Sequence, residues 1–286
     1  PPGVLTRRVT AEQLSLSMLG YRPRRRAVVK VVVTDPAQVF YVKVLREKLF
    51  ADVRNKHLLL RQAGLPAPEI ALATSDNLLV TRELPGASLA RALFEPGEPC
   101  TPEELIALLD AMPPAVAALE RRPPWAEAVG HYAKMVAATL PELGDDLSWL
   151  TERITTGRAR YPLGNEPTHG DFHEGQLRVA GGRIVGVLDV DTIGPGRRAD
   201  DLACLIGHLS TIQRMNAEQE AKVRDLLARW VPVFDRRVDP VELRLRAAAV
   251  VISLATGPYR GQEPDWQAQT TGMIRSAMAL VRQVSS

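Results

Sequence analysis

Residues 168–176 form a polar stretch, Thr-His-Gly-Asp-Phe-His-Glu-Gly-Gln, whose side chains could do chemistry. His169, Asp171 and His173 alternate along it, so on an extended strand all three would face the same side. Imidazole and carboxylate groups are zinc ligands, which makes a metal-dependent hydrolase one hypothesis. Such a site needs further ligands from elsewhere in the chain. The remaining histidines stand in helix-like runs: His57, His131 and His208.

The same stretch also fits phosphoryl transfer. In that chemistry a carboxylate accepts the proton of the attacking hydroxyl, and an amide five residues later holds a metal ion. Asp171 and Gln176 have this spacing. Asp189 follows at the end of an apolar run, where a carboxylate beside a cleft can hold Mg²⁺. Lys43 lies upstream between two valines, where a cation could meet the phosphates of a nucleotide. Each residue alone is weak evidence, but together they follow the order that a kinase requires.

The elements that must position these residues change in character along the chain. The first part is rich in β-branched residues and predicts strands with one inserted helix. Its strands are predicted at 14–21, 27–34, 39–45, 70–73 and 78–83, and its helix at 49–63. After Leu84-Pro85-Gly86 the spacing becomes helical, apart from a hairpin at 176–190. The helices are predicted at 102–119, 125–140, 145–160, 200–209, 216–231, 240–254 and 266–284.

This pattern predicts an α+β fold with two lobes. A β-rich lobe at 1–83 would bind a nucleotide, a short hinge would span 84–88, and a mostly helical lobe at 89–286 would carry the catalytic loop and the acceptor site. The cleft between two lobes is a common place for a ligand.

Composition narrows the possible partners. The chain has 286 residues, 45% of them hydrophobic and 24% charged, which are globular values. Its net charge of +3 is not clustered enough for a nucleic-acid-binding protein, so no nucleic-acid partner is expected. A small anionic ligand is compatible with this charge.

The expected compartment is the cytoplasm. Cys100 and Cys204 are predicted to be free thiols in a reducing environment. No apolar signal-peptide core begins the sequence, and no run approaches the roughly 20 apolar residues of a membrane span, so no membrane partner is expected. The oligomeric state is not indicated.

Three motifs carry a family resemblance. His-Gly-Asp-Phe-His-Glu-Gly-Gln, followed by Gly-Val-Leu-Asp-Val-Asp and then Ala-Asp-Asp-Leu-Ala, resembles the aminoglycoside phosphotransferase family. That family has a protein-kinase-like fold and includes kinases of antibiotics, choline, homoserine and sugars. The resemblance extends from about residue 21 to the C-terminal helices and is strongest at 168–205.

The resemblance implies roles for individual residues. It makes the chain a kinase that uses Mg²⁺ and ATP or GTP, with Asp171 as the catalytic aspartate and Asp189 as a Mg²⁺ ligand. His169 would brace the catalytic loop, and Asp201 would support it by hydrogen bonds. The backbone of three residues would face the adenine: Arg82, Glu83 and Leu84.

The sequence departs from the family in three places. Gln176 stands where the family usually has Asn, as in maltokinase-like and other sugar-kinase members. The acidic partner of Lys43 is not evident; the candidates on or before the first helix are Glu47, Asp52 and Asn55. The phosphate loop at 21–26 is basic rather than glycine-rich, and its arginines either contact phosphates or form an exposed turn.

The acceptor is the least defined part. The segment between the last helices offers an aromatic ring, a guanidinium and two carboxylates, a mixture suited to sugar recognition, although it could also be a connector. Its candidate residues are Arg260, Glu263, Asp265 and Trp266. A sugar or amino-sugar hydroxyl is the favoured acceptor, with aminoglycosides close behind. A catalytically weak nucleotide-binding pseudokinase is the alternative, and His173 is expected to pack or hydrogen-bond within its loop.

Overall fold

The computed structural model describes residues 10–23, 26–212 and 215–284. Its N-terminal part is a five-stranded antiparallel sheet in the order β1-β2-β3-β5-β4. The strands are β1 (Leu14–Arg22), β2 (Arg26–Thr34), β3 (Ala37–Val44), β4 (Ile70–Ala73) and β5 (Leu78–Arg82). Valine-rich β2 and β3 lie at the centre, where β-branched side chains pack well on the pleated surface.

One helix, α1 (Glu47–Gln62), connects β3 to β4. Its buried residues include Val53, which packs against Leu45 and Leu79 in a small core under the sheet. Gly64 follows the helix with φ +81°, the left-handed conformation in which glycine commonly ends a helix. Two polar residues of α1, Lys56 and His57, are also buried.

Two small sheets hold the loops that follow. The first has the order β6-β8-β9, formed by β6 (Ala87–Ser88), β8 (Leu177–Ala180) and β9 (Arg183–Val187). The second pairs β7 (Glu166–Thr168) with β10 (Gly194–Gly196). Since β7 and β9 end just before the catalytic stretch and Asp189, these sheets fix both ends of the predicted site.

The remainder is helical. Its helices are α2 (Leu89–Ala92), α3 (Pro102–Asp110), α4 (Val129–Thr139), α5 (Gly144–Arg158), α6 (Arg198–Leu209), α7 (Ala217–Phe234), α8 (Pro240–Leu254), α9 (Gly257–Arg260) and α10 (Trp266–Arg282). Helix α8 is buried along nearly its whole length and packs against α5, α6 and α10. It is the central helix of this part, as its apolar sequence predicts.

The α+β fold class is confirmed, with an antiparallel sheet first and helices after it. The helix predicted over 102–119 is wrong in extent: α3 ends at Asp110, and a separate 3₁₀ turn covers Pro114–Ala118. Two consecutive prolines cause this break, because proline lacks an amide donor and restricts the residue before it. Cys100 and Cys204 are free and buried. None of the helices in the described residues is both long and apolar enough to span a bilayer.

Candidate active site

The catalytic stretch is held by a carboxylate at the start of α6. Asp201 accepts a hydrogen bond from His169 N at 2.9 Å and another from Gly170 N at 2.8 Å. The Arg198 guanidinium lies 3.4 Å from the same carboxylate. Burial raises the pKa of Asp201 to about 7, although the two amides and Arg198 favour its charged form. Gly170 has φ +81°, and a Cβ there would lie 2.7 Å from Thr192 O, so the loop needs glycine at this position.

His169 ties this loop to the end of β9. Its Nε2 lies 2.9 Å from Leu188 O, and its Nδ1 accepts from Asp171 N at 3.3 Å. These partners assign the proton to Nε2, which then donates to the carbonyl. Burial lowers the pKa of His169, which favours this neutral form. His169 therefore orients the residue two positions further on, Asp171.

Asp171 itself is half-buried, five residues before Gln176 on the same loop. Burial raises the pKa of Asp171 above the ordinary aspartate value, and the negative charge of Asp189 adds to that rise. A carboxylate with a raised pKa is a stronger base than a free one, which suits it to accept a proton from a hydroxyl group.

His173 positions Gln176. Nδ1 of His173 accepts from Gly175 N at 3.1 Å, and burial lowers the pKa of His173 to about 4, so the neutral ring carries its proton on Nε2. The Gln176 amide nitrogen lies 3.1 Å from that Nε2. Because two donors would face each other, the consistent assignment exchanges the amide nitrogen and oxygen, and His173 then donates to Gln176 Oε1.

Asp189 and Asp191 lie opposite the catalytic loop and pair with cations of the N-terminal sheet. Lys43 Nζ is 3.2 Å from Asp189 and 2.8 Å from Asp191. Arg26 is 3.3 Å from each carboxylate. Burial would raise the pKa of Asp189, but Lys43 and Arg26 outweigh it and lower the pKa to about 2. Asp189 adopts the left-handed conformation, with φ 50° and ψ 43°, directly after β9.

The three candidate partners of Lys43 on or before α1 do not reach it. Glu47, Asp52 and Asn55 are exposed, and Asp52 pairs instead with Lys56 of the same helix at 3.0 Å. The carboxylate that pairs with Lys43 is instead Asp191, which was not predicted from the sequence. The one hint in the sequence was that Asp191 is the second aspartate of the Asp-Val-Asp run.

Two buried side chains of helix α1, Lys56 and His57, lie next to Asp191. Lys56 Nζ donates to Asp191 O at 3.1 Å. His57 Nε2 lies 3.9 Å from Asp191 Oδ1 and is buried without a hydrogen-bond partner. Burial and then Lys43 lower the pKa of His57 to about 4, so the ring is neutral at pH 7. His57 was not recognised from the sequence, because nothing local marks a helix residue that meets a carboxylate over 130 positions away.

A cavity of about 480 Å³ lies between the sheet and the catalytic loop. Its lining includes all six residues predicted to bind nucleotide or metal: Lys43, Arg82, Glu83, Leu84, Gln176 and Asp189. Arg22 and Arg26 of the basic turn also line it, while Arg24 and Arg25 lie outside the described residues. Arg82 N and Glu83 N already donate to Glu69 O and Val39 O, so of the three residues predicted to face the adenine, Leu84 has the amide that would donate to a base.

The histidines do not form the metal site considered first. His169 uses both ring nitrogens within the loop. His208 does approach His173 and Asp171, whose ligand atoms lie within 4.8 Å of one another. However, the two imidazoles stack with centroids 4.1 Å apart and planes 7° apart. Nitrogen lone pairs lie in the ring planes, and one ion cannot lie in two parallel planes, so this arrangement does not fit zinc.

Of the four residues predicted to bind the acceptor, Glu263 lines a cleft, whereas Arg260, Asp265 and Trp266 do not line that cleft. Glu263 lines a second cleft together with Glu174 and His208, next to the catalytic loop. Arg260 and Asp265 are exposed outside that lining. Trp266 is half-buried and packs edge-on against Tyr259, with ring centroids 4.9 Å apart.

Comparisons with known proteins agree with this architecture. The profile described as the phosphotransferase enzyme family (APH) matches residues 24–239. No curated protein matches the chain. A thermostable mutant of the aminoglycoside phosphotransferase APH(4)-Ia has 16% identity and a TM-score of 0.59, with 96% of each chain covered. A choline/ethanolamine kinase family protein from Mesorhizobium loti has 19% identity and a TM-score of 0.60, with 93% of this chain and 87% of that one covered.

An ethanolamine kinase from Plasmodium vivax has 12% identity and a TM-score of 0.54, with 95% of this chain and 84% of that one covered. At these identities the structures establish a shared kinase-like fold. The profile match covers most of the chain and includes Lys43, the catalytic stretch and Asp201. The chain belongs to the phosphotransferase enzyme family and is a small-molecule phosphotransferase that acts on a hydroxyl group.

Proposed function

We propose that the protein transfers the γ-phosphate of ATP or GTP, with Mg²⁺, to a hydroxyl of a sugar, amino sugar or aminoglycoside. The observation that carries this proposal is the convergence of Lys43, Gln176 and Asp189 on one cavity, with Asp171 held beside it by His169. Similar folds are described in complex with ATP and streptomycin or with ADP and hygromycin B, which supports a nucleotide as a ligand of this protein.

The nucleotide would lie between the sheet and the catalytic loop. The Leu84 amide would bind the base, and Lys43 with Arg26 would bind the phosphates. Both cations contact Asp189 and Asp191 in this structure, so their side chains already point into the cleft where the phosphates would bind. Phosphoryl transfer depends mainly on such positioning and charge stabilisation.

The carboxylates fit Mg²⁺. Oxygens of Asp189 and Asp191 converge on the single Lys43 ammonium at 3.2 and 2.8 Å, which makes them an oxygen donor set around one cationic position. Asp189 and the Gln176 amide oxygen, fixed by His173, would hold the ion. When bound, Mg²⁺ neutralises phosphate charge that builds up during transfer.

Asp171 would act as the base. Its carboxylate would accept the proton from the acceptor hydroxyl as that oxygen attacks phosphorus. His169 and Asp201 keep the loop in place, so this carboxylate would need no rearrangement during the reaction.

The pseudokinase alternative rests on one observation. Lys43 and Arg26 both pair with Asp189, the proposed metal ligand, and a protein that kept this arrangement with nucleotide bound would transfer phosphate poorly. In the kinase these contacts must exchange for phosphate and metal contacts.

A nucleotide-consumption assay tests the proposal. Mg²⁺-ATP and Mg²⁺-GTP would be supplied with aminoglycosides, amino sugars, neutral sugars and sugar acids, and phosphorylated product identified by mass spectrometry. We expect turnover on one acceptor class and its loss in Asp171→Asn, which should still bind nucleotide. Nucleotide binding without turnover on any acceptor would favour the pseudokinase, and full activity of Asp171→Asn would remove this residue from the base role.

A further inference from the structure

Another cavity, separate from the two described above, contacts the catalytic loop just before Asp171. Gly170, directly before Asp171, lines it together with Thr192. Thr192 donates to His169 O at 2.8 Å, so this wall is part of the loop that carries the base. The nucleotide cavity and this cavity share no lining residue, and the loop contributes Gln176 to the first and Gly170 to the second. An acceptor in this cavity would therefore reach the loop next to Asp171 without occupying the nucleotide cavity.

Positive side chains dominate the lining of this cavity, which is called the arginine cavity below. Its charged lining residues are Arg121, Arg122, Arg158, Arg197, Arg246 and Asp200. Two of these arginines form ion pairs with carboxylates. Arg246 pairs with Asp200 and with Glu242 at 2.7 Å, and Arg197 also pairs with Glu242. The other three guanidinium groups form no ion pair with a carboxylate among the residues that the structure describes.

Arg158 is the most informative of these three. It is the last residue of α5, where its NH1 donates to Ala126 O at 2.7 Å. Its Nε is buried and has no hydrogen-bond partner. Burial, and then the like charge of Arg246, lower the pKa of Arg158, and the charges of Glu127, Asp200 and Glu242 partly oppose this lowering. A buried guanidinium nitrogen without a hydrogen-bond partner is costly, and an anion in the cavity would supply that partner.

Size and shape favour a small anionic group. The volume open to water-sized atoms is about 60 Å³, which accommodates a group of about four to six heavy atoms. A carboxylate or phosphate has this size, and arginine is the side chain that binds both in a planar, two-pronged geometry. Trp125 lines the same cavity and is 39% exposed, so its ring is available to a sugar or polyol body outside it.

We propose that the arginine cavity binds a carboxylate or phosphate group of the acceptor, so that the substrate is an anionic sugar or polyol. This rests on the proposed kinase function and narrows its acceptor. The arginines would hold the anionic group while a hydroxyl elsewhere on the same molecule reaches Asp171. A polycationic acceptor would meet repulsion from Arg121, Arg122 and Arg158.

The direct test measures anion binding without nucleotide. Inorganic phosphate would be titrated into the wild-type protein and into Arg158→Gln and Arg121→Gln by calorimetry. Arg153→Gln is the matched control, because Arg153 is exposed on the same helix and does not line the cavity. We expect phosphate to bind the wild type and the control equally, and at least tenfold more weakly to the two cavity variants. Absence of binding, or equal binding by all four proteins, would overturn the proposal.

The second arm separates an anionic acceptor from a free anion. Matched pairs, glucose with glucuronate and glucosamine with glucosamine 6-phosphate, would be compared as acceptors. We expect at least tenfold higher kcat/KM for the anionic member, loss of that preference in Arg158→Gln, and competition by inorganic phosphate. Turnover that favours neutral or cationic acceptors would overturn the acceptor assignment while the kinase function stands. If no acceptor is phosphorylated at all, the kinase function fails, and phosphate binding decides alone whether the cavity binds anions.

Discussion

At the scale of single residues, the main departure from the family resemblance is the partner of Lys43. The protein places two carboxylates from the far side of the cleft on this ammonium, at 2.8 Å for Asp191 and 3.2 Å for Asp189. If Asp189 turns to a metal ion, Asp191 is the residue that keeps Lys43 oriented. Asp191 would then orient Lys43 in place of the acidic residue that was expected on or before the first helix.

Replacing Asp191 by Asn should therefore weaken nucleotide use. We expect kcat/KM for the nucleotide to fall at least tenfold, about 1.4 kcal/mol, because Lys43 loses its nearest charged partner. Steady-state kinetics with varied nucleotide would measure this. Glu47→Gln is the control, since Glu47 is exposed at the start of α1. Equal kinetics for Asp191→Asn and wild type would show that Lys43 needs no second carboxylate.

Asp171 makes a prediction about pH. Its pKa lies above the ordinary aspartate value of 3.8 because of burial. The base must be deprotonated to accept a proton, so activity should be lost as pH falls through this raised pKa. We expect kcat, measured from pH 8 downwards at saturating substrate, to decline with a midpoint above 3.8. A flat profile down to pH 4, or a rise on acidification, would contradict a catalytic carboxylate here.

At the scale of elements, the start of α6 is the support of the catalytic loop. One buried carboxylate, Asp201, accepts the amides of two consecutive loop residues and also contacts Arg198. Helix α6 is in turn packed on the central helix α8. The position of Asp171, the proposed base, is thus set by the core rather than by the loop itself.

Asp201→Asn should loosen this support. One amide of the pair loses its acceptor, and a buried unsatisfied group costs about 1–3 kcal/mol. We expect urea unfolding to show a loss of about 2 kcal/mol, and hydrogen exchange at residues 169 and 170 to accelerate. Asp225→Asn, at an exposed site on α7, serves as the control. Unchanged exchange at 169 and 170 would mean that other contacts hold the loop.

The sequence predicted elements where local chemistry determines them. The valine-rich strands and the apolar helix α8 were anticipated because their residue types and periods are unambiguous. The helix over 102–119 was not, because the adjacent prolines at 113 and 114 stop α3 despite continuing apolar spacing. Long-range pairs were not predicted for another reason: Lys43 of β3 contacts Asp191, which follows β9, only in the folded protein.

At the scale of the whole molecule, ion pairs across the cleft connect the N-terminal sheet to the segment that follows β9. Arg26 and Lys43 come from β2 and β3, whereas Asp189 and Asp191 follow β9. A nucleotide with Mg²⁺ entering between them would exchange these ion pairs for contacts on both sides of the cleft. Ligand binding should therefore stabilise the fold as a unit.

A thermal unfolding experiment tests this coupling. At a nucleotide concentration 100 times its Kd, binding to the folded state adds about 2.7 kcal/mol, which corresponds to a rise of roughly 5 °C in Tm for a chain of this size. We expect this rise for the wild type with Mg²⁺ and nucleotide together, and a much smaller one with either alone. Asp189→Asn should lose most of the rise, because it removes the carboxylate proposed to bind the metal ion. An equal rise in Asp189→Asn would place the metal-nucleotide complex away from this residue and would remove the charge exchange from the mechanism.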